Sequence, residues 1–266
     1  MAGFQGAIFD VDGVLVDSPH EAAWRESLRE LMEGEWSDVR GRTTWTPDAF
    51  TSHVYQTEVS GKPRLAGARA ALEHFHVPDV DARVEAYAER KQAMVVRLIE
   101  AGRFTAYDDA LRLVIDVKES GLLLAAASSS KNAHLLLRRI RLDRFAAEHG
   151  IDAPSVTPGA TLLDVFDVDV SGRDFPHGKP HPDMFLAAAA ELGVEPAAAL
   201  VVEDAPAGLQ AAKAGGMAAI GIARADDADL LARAGADVVV TSLDQVDRAA
   251  LRSGRLARTA PAEGGR

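Results

Sequence analysis

The sequence predicts an α/β protein, a doubly wound parallel sheet with an all-helical segment inserted after its first strand. Three observations carry that expectation. Short apolar runs alternate with stretches of helical period through most of the chain. The alternation stops between about residues 19 and 102, where only helical patterning is found. Polar and charged residues gather directly after several of the apolar runs, which is where ligands bind in open α/β sheets.

The first strand is expected at residues 6–9 (GAIF), ending at Asp10. Further strands are expected at 122–127 (LLLAAA), 200–202 (LVV), 218–222 (AAIGI) and 237–240 (DVVV). Helices are expected between them at 108–120, 131–140, 182–192, 205–214 and 226–234. In the insertion, EAAWRESLRELME brings Ala23, Trp24, Leu28 and Leu31 close to helical spacing. VEAYAERKQAMVVRLIE does the same through Ala86, Ala93, Val96, Leu98 and Ile99. The insertion reads as a helical cap over residues 18–102, and the catalytic core as residues 1–17 plus 103–251. Residues 146–180, rich in Pro, Gly and Asp, read as a long connection with one strand-like run, LLDVFDVDV. Residues 252–266 are polar and rich in small side chains, and are expected to be a disordered tail.

Composition narrows the function classes. The 266 residues are 47% hydrophobic and 26% charged, as in an ordinary globular protein, with a formal net charge of −11. That charge argues against nonspecific binding to nucleic acid or an anionic membrane, but a local cluster of Lys and Arg can still hold a small anion. There are no cysteines, which excludes disulfides, thiolate catalysis and Cys-ligated metals. No apolar run is long enough to span a bilayer and the N-terminus has no export signal, so a cytoplasmic protein is expected, either a monomer or a weak homodimer.

The chemistry concentrates at strand ends. In FDVDGVLVDS, residues 9–18, Asp10 and Asp12 lie two apart, so both can face one site if extended geometry persists. Two adjacent carboxylates repel unless a cation neutralises them. An Asp-Gly turn alone would explain either aspartate, but the other strand ends weaken that simpler explanation. One continues into SSSKN, with Ser128, Ser130, Lys131 and Asn132. Another ends in Glu203 and Asp204, and Lys179 stands in the loop HGKPHPD before a helix. His177 and His181 flank that lysine; magnesium, which prefers oxygen ligands, would not select them.

These four segments, in this order, resemble the motifs of the haloacid dehalogenase-like (HAD) superfamily, whose core is a Rossmann-like sheet and whose members are mostly Mg²⁺-dependent phosphotransferases. The resemblance implies Asp10 as nucleophile, Asp12 as general acid/base, and Ser128 and Lys179 as holders of the transferring phosphate. It implies Mg²⁺ held by Asp10, Asp12, Glu203 and Asp204, with Asp12 contributing its backbone carbonyl. Within the superfamily the chain is most similar to the β-phosphoglucomutase subfamily. SKN (Ser130, Lys131, Asn132) matches its distal-phosphate loop, and GKPR ending at Arg64 matches a cap turn whose arginine grips the same phosphate. His20 and Trp24 keep a His-x-x-x-Trp spacing, and Arg97 falls on the helix where that subfamily carries a lysine. The resemblance thus implies a small phosphorylated sugar as partner. It also implies conversion of β-glucose 1-phosphate to glucose 6-phosphate through glucose 1,6-bisphosphate. The same four motifs serve a sugar-phosphate phosphatase, in which water takes the phosphoryl group.

Overall fold

The computed structural model describes residues 3–59, 62 and 64–259, without the side chain of residue 56. The chain divides into two units, Met1–Asp17 with Thr105–Arg266, and Ser18–Phe104.

The first unit is built on six parallel strands. These are β1 (Gly6–Phe9), β4 (Leu123–Ala126), β5 (Val168–Asp169), β6 (Ala199–Glu203), β7 (Ala218–Ile222) and β8 (Val238–Val240), in the spatial order β5-β4-β1-β6-β7-β8. A separate antiparallel pair, β2 (Val16–Asp17) and β3 (Thr105–Ala106), lies where the chain leaves this unit and returns to it. All four residues of β1 and all five of β6 are buried, so each strand reads as a continuous apolar run instead of an alternating one. Ile8, Val201 and Ala219 share a core with Phe185, Ala188 and Leu209 from the helices Asp183–Leu192 and Pro206–Ala214.

Register sets up the site. Phe9 pairs with Ala126 on one side and Val202 on the other. The next residue along β1, Asp10, therefore emerges at the same edge as the residues following β4 and β6. Its backbone N–H donates to Val202 O at 3.0 Å, and the N–H of Ala127 donates to Phe9 O at 2.9 Å.

The second unit is helical, and it covers the segment expected as a cap. The helices His20–Glu33, Arg64–His74 and Val80–Glu100 close over Trp24, Leu28, Phe50, Leu72, Phe75 and Tyr87. Tyr87 stands edge-to-face with Trp24, and its hydroxyl donates to Trp24 O at 2.9 Å. The longest helix is rotated relative to the sequence reading. Its buried stripe is Tyr87, Ala88, Lys91, Met94, Val95, Leu98 and Ile99, while Ala86 and Ala93 are exposed. A face chosen by counting alanines is ambiguous because alanine is tolerated on either side, whereas Tyr87 and Met94 have area that must be buried.

Three other differences stand out. The first residues of the segment 146–180 are the end of a helix, Leu142–Glu148, and its strand is only two residues long, paired to β4 at the sheet edge. The cap extends to Phe104, two residues beyond the expected boundary. Residues 252–259 are not a loose tail. After the helix Arg248–Arg252 the chain folds back, with Asp247 N donating to Ala257 O at 2.9 Å and Thr259 N to Gln245 O at 2.8 Å. The rest of the expected tail, 260–266, lies outside the described residues. Among the described residues no helix is long and apolar enough to cross a membrane.

Candidate active site

At the carboxyl edge of β1, β4 and β6 the structure brings together Asp10, Asp12, Ser128, Lys179 and Glu203. Lys179 is the electrostatic centre. Its Nζ donates to Asp10 Oδ1 at 2.6 Å and to Glu203 Oε1, and it lies 5.1 Å from the centroid of the Phe185 ring. Burial acts to lower the lysine pKa, but the carboxylates of Asp10 and Glu203 outweigh it and hold the ammonium protonated. Ser128 Oγ donates to Asp12 Oδ2 at 3.2 Å and accepts from Ser130 N–H at 3.1 Å, so the turn after β4 orients the second aspartate. The Asn132 N–H donates to Ser130 Oγ at 3.3 Å, which tightens the same turn. Lys131 extends outward to an ion pair with Asp174.

The centre has more negative charge than one lysine balances. Burial pushes Asp10 up to about 7; Lys179 opposes this, and the neighbouring Glu203 and Asp12 carboxylates add to it. Burial, then the charges of Glu203 and Asp10, also hold Asp204 well above the usual carboxylate range. Two neighbouring carboxyls that burial disfavours in their charged form, Asp10 and Asp204, are groups that a bound divalent cation would hold ionised.

The packing around the cluster fits such an ion. Gly13 sits at φ +81, and a Cβ there would overlap the Asp204 carboxylate; a Cβ at Gly208 would overlap that of Glu203. Two glycines therefore leave the room in which these carboxylates lie. The donors are hard oxygens, suited to Mg²⁺. Glu203, expected among the ligands, has both oxygens engaged by the protein: Oε1 by Lys179, and Oε2 by the Ala205 N–H at 2.8 Å. Asp10 gives only Oδ1 to Lys179, so its Oδ2 and the Asp204 carboxylate are the side-chain oxygens suited to an ion.

A second buried network supports the loop after β1. Arg224 makes a bidentate pair with Asp109 at 2.9 and 3.0 Å and donates to the carbonyls of Gly13 and Val14 at 3.3 and 3.0 Å. It also stacks on Tyr107 at 3.8 Å. Burial works against the Asp109 charge, but Arg224, Leu243 N–H and Ser242 hold the carboxyl below its usual range. The sequence reading missed this pair, whose members are 115 residues apart and carry no local signature.

The cap residues named from the family pattern fall as follows within their own unit. Trp24 is 4% exposed and belongs to the cap core. Arg97 donates to both oxygens of Glu30 at 2.9 and 3.1 Å. Arg64, the first residue of its helix, donates to Gln92 Oε1 at 3.3 Å; Gly61 and Pro63 of the same turn lie outside the described residues. His20 Nδ1 lies 3.3 Å from Nζ of Lys91, a buried lysine that sits 5.0 Å from the Trp24 ring. Sequence reasoning passed over Lys91. The signal was a lysine on the apolar stripe of a helix, visible only with the stripe in its correct register.

The parallel sheet with a lysine-bridged carboxylate centre at its carboxyl edge defines a class of enzyme. The chain belongs to the haloacid dehalogenase-like hydrolase family, which it matches over residues 4–216. It is an enzyme of the β-phosphoglucomutase-like subfamily. It is 34% identical over 257 residues to the β-phosphoglucomutase of Mycobacterium bovis, covering 91% of each chain. It is also 29% identical over 247 residues to the validoxylamine A 7'-phosphate phosphatase of Streptomyces hygroscopicus subsp. limoneus, covering 91% of this chain and 96% of that protein. The crystal structure of an archaeal β-phosphoglucomutase from Pyrococcus sp. strain ST 04 superposes with a TM-score of 0.65 at 30% identity, over 89% of this chain and 92% of that one. Enzymes of this family generally use Mg²⁺.

Proposed function

We propose that the protein is a Mg²⁺-dependent phosphotransferase acting on a small phosphorylated sugar, and that its reaction is the conversion of β-glucose 1-phosphate to glucose 6-phosphate. The observation that carries this reading is the Asp10–Lys179–Glu203 cluster at the sheet's carboxyl edge, with Asp12 held beside it by Ser128. Asp10 Oδ attacks phosphorus, the P–O bond to the sugar breaks, and an aspartyl-phosphate forms. Asp12 gives a proton to the departing sugar oxygen and takes one from the incoming hydroxyl in the second half-reaction. Lys179 holds an equatorial phosphoryl oxygen while Glu203 fixes the ammonium, and the Ser128 hydroxyl serves a second oxygen. Asp10, Asp204 and the backbone carbonyl of Asp12 would hold Mg²⁺, which supplies neutralisation of the phosphoryl charge.

A mutase must also bind the second phosphate of its bisphosphate intermediate. Ser130, Lys131 and Asn132 are proposed for this in the core. Within the helical unit, Arg64, His20 with its neighbour Lys91, Trp24 and Arg97 are proposed separately as substrate-binding residues. The similarity to a mycobacterial β-phosphoglucomutase over 91% of both chains supports transfer between sugar positions. The likeness to validoxylamine A 7'-phosphate phosphatase supports hydrolysis as the second reading.

A phosphorus NMR time course separates the two, using Mg²⁺, β-glucose 1-phosphate and a trace of glucose 1,6-bisphosphate. Glucose 6-phosphate without inorganic phosphate establishes the mutase. Inorganic phosphate as the main product replaces it with the phosphatase, and no turnover of either kind overturns both.

A further inference from the structure

The loop that carries Lys179 holds a second group of ligating side chains, which differs from the carboxylate centre in containing two imidazoles. His177 and His181 stand on either side of the lysine, and Asp183 opens the following helix. The two imidazole rings stack with centroids 4.5 Å apart and 25° between their planes. Asp183 Oδ2 accepts from the His177 backbone N–H at 3.2 Å and lies 3.1 Å from His177 Nδ1. The His181 N–H donates to Gly178 O at 3.0 Å, a turn that returns the second imidazole to the first. One donor atom from each of the three residues lies within 4.8 Å of the others. Both histidines are exposed, so an ion can reach them from solvent.

Two imidazoles and a carboxylate form a borderline donor set. It suits Zn²⁺ and its transition-metal neighbours and does not suit Mg²⁺, which takes oxygens. Metal–nitrogen bonds of about 2.0–2.1 Å put adjacent donors of a tetrahedral site about 3.3 Å apart. Donors already within 4.8 Å reach that spacing by side-chain rotation. Solvent would complete the coordination.

We propose that His177, His181 and Asp183 form a binding site for a Zn²⁺-class transition-metal ion, separate from the hard-oxygen centre at Asp10 and Asp204. Occupation links residues 177, 181 and 183 into one chelate around Lys179 and so fixes the segment that presents its ammonium.

The test is calorimetric titration of Zn²⁺ into the tag-free full chain in a large excess of Mg²⁺, which keeps the oxygen centre saturated. One equivalent of Zn²⁺ is expected to bind. His177→Ala and His181→Ala are each expected to weaken it by at least about tenfold, with circular dichroism showing both variants folded. Asp10→Asn is expected to leave Zn²⁺ affinity unchanged. With Cu²⁺ as probe, electron spin-echo modulation from imidazole nitrogen is expected in the wild type and reduced in both histidine variants. The proposal is overturned if the wild type takes up no Zn²⁺ under these conditions. It is equally overturned if the folded histidine variants bind Zn²⁺ as tightly as the wild type, or if Asp10→Asn abolishes binding.

Discussion

Replacing Lys179 with methionine tests the electrostatics on which the site depends. The substitution keeps most of the side-chain volume and removes the ammonium shared by two buried carboxylates. The side chains of Lys179, Asp10 and Glu203 are 15, 8 and 1% exposed, so solvent screens little of the charge left behind. Removing one partner of a buried ion pair costs about 3–5 kcal/mol. Asp10 stands at about 7 with the ammonium present and rises further without it. A folded pKa above the unfolded value near 3.8 means that the native state holds the extra proton. Stability then falls as pH rises between the two values. The deficit of Lys179→Met relative to wild type is therefore expected to reach about 3–5 kcal/mol at pH 8. It is expected to shrink toward pH 5, where Asp10 is neutral in both proteins and Glu203 alone has lost its partner. Urea unfolding of both proteins in EDTA at the two pH values measures it. A deficit below about 1 kcal/mol at pH 8, or one larger at pH 5 than at pH 8, would refute the assignment of Lys179 as the shared counter-charge.

Asp10→Asn is expected to lower turnover of a phosphate ester by at least about a thousandfold. Its metal-free stability at pH 8 should be equal to or above wild type, since the amide replaces a carboxylate that burial disfavours; a steady-state assay and urea midpoints check both. Gly13→Ala forces a side chain into a φ of +81 against Asp204. It should cost about 1–3 kcal/mol and reduce the rise in melting temperature that Mg²⁺ produces in wild type. Arg224→Gln should cost about 3 kcal/mol at pH 7. Because Asp109 is held below its usual range, the contribution it makes with Arg224 is present above its unfolded value near 3.8 and lost as pH falls through the folded one. The Arg224→Gln deficit should fade accordingly in acid, as followed by thermal unfolding against pH.

The parts of this protein legible in its sequence are those with local causes. The strands β1, β6 and β7 show as apolar runs because a parallel sheet is covered on both faces, and the residues following such runs mark the site edge. Asp10, Ser128 and Glu203 were readable for that reason. Lys91 was not, because alanines blurred the register of its helix by enough to hide a lysine on the buried stripe. Strand β5 lies inside the run LLDVFDVDV, but its length of two residues is set by pairing to β4 and not by the run, and the return of residues 252–259 onto 245–247 depends on backbone hydrogen bonds that composition does not show.

By itself, then, the sequence determined the class of fold, the helical insertion and the four charged or hydroxylated segments of the site. These follow from burial period and strand-end chemistry, which neighbouring residues encode. Only the tertiary structure decided which partner each charge takes. Glu203 turns both oxygens to Lys179 and Ala205, Arg224 reaches Asp109 and the loop at Gly13, and His177 meets His181 and Asp183. Coulombic and hydrogen-bonding energies depend on separations of a few ångströms, and those separations are set by how strands and loops far apart in the chain are stacked together.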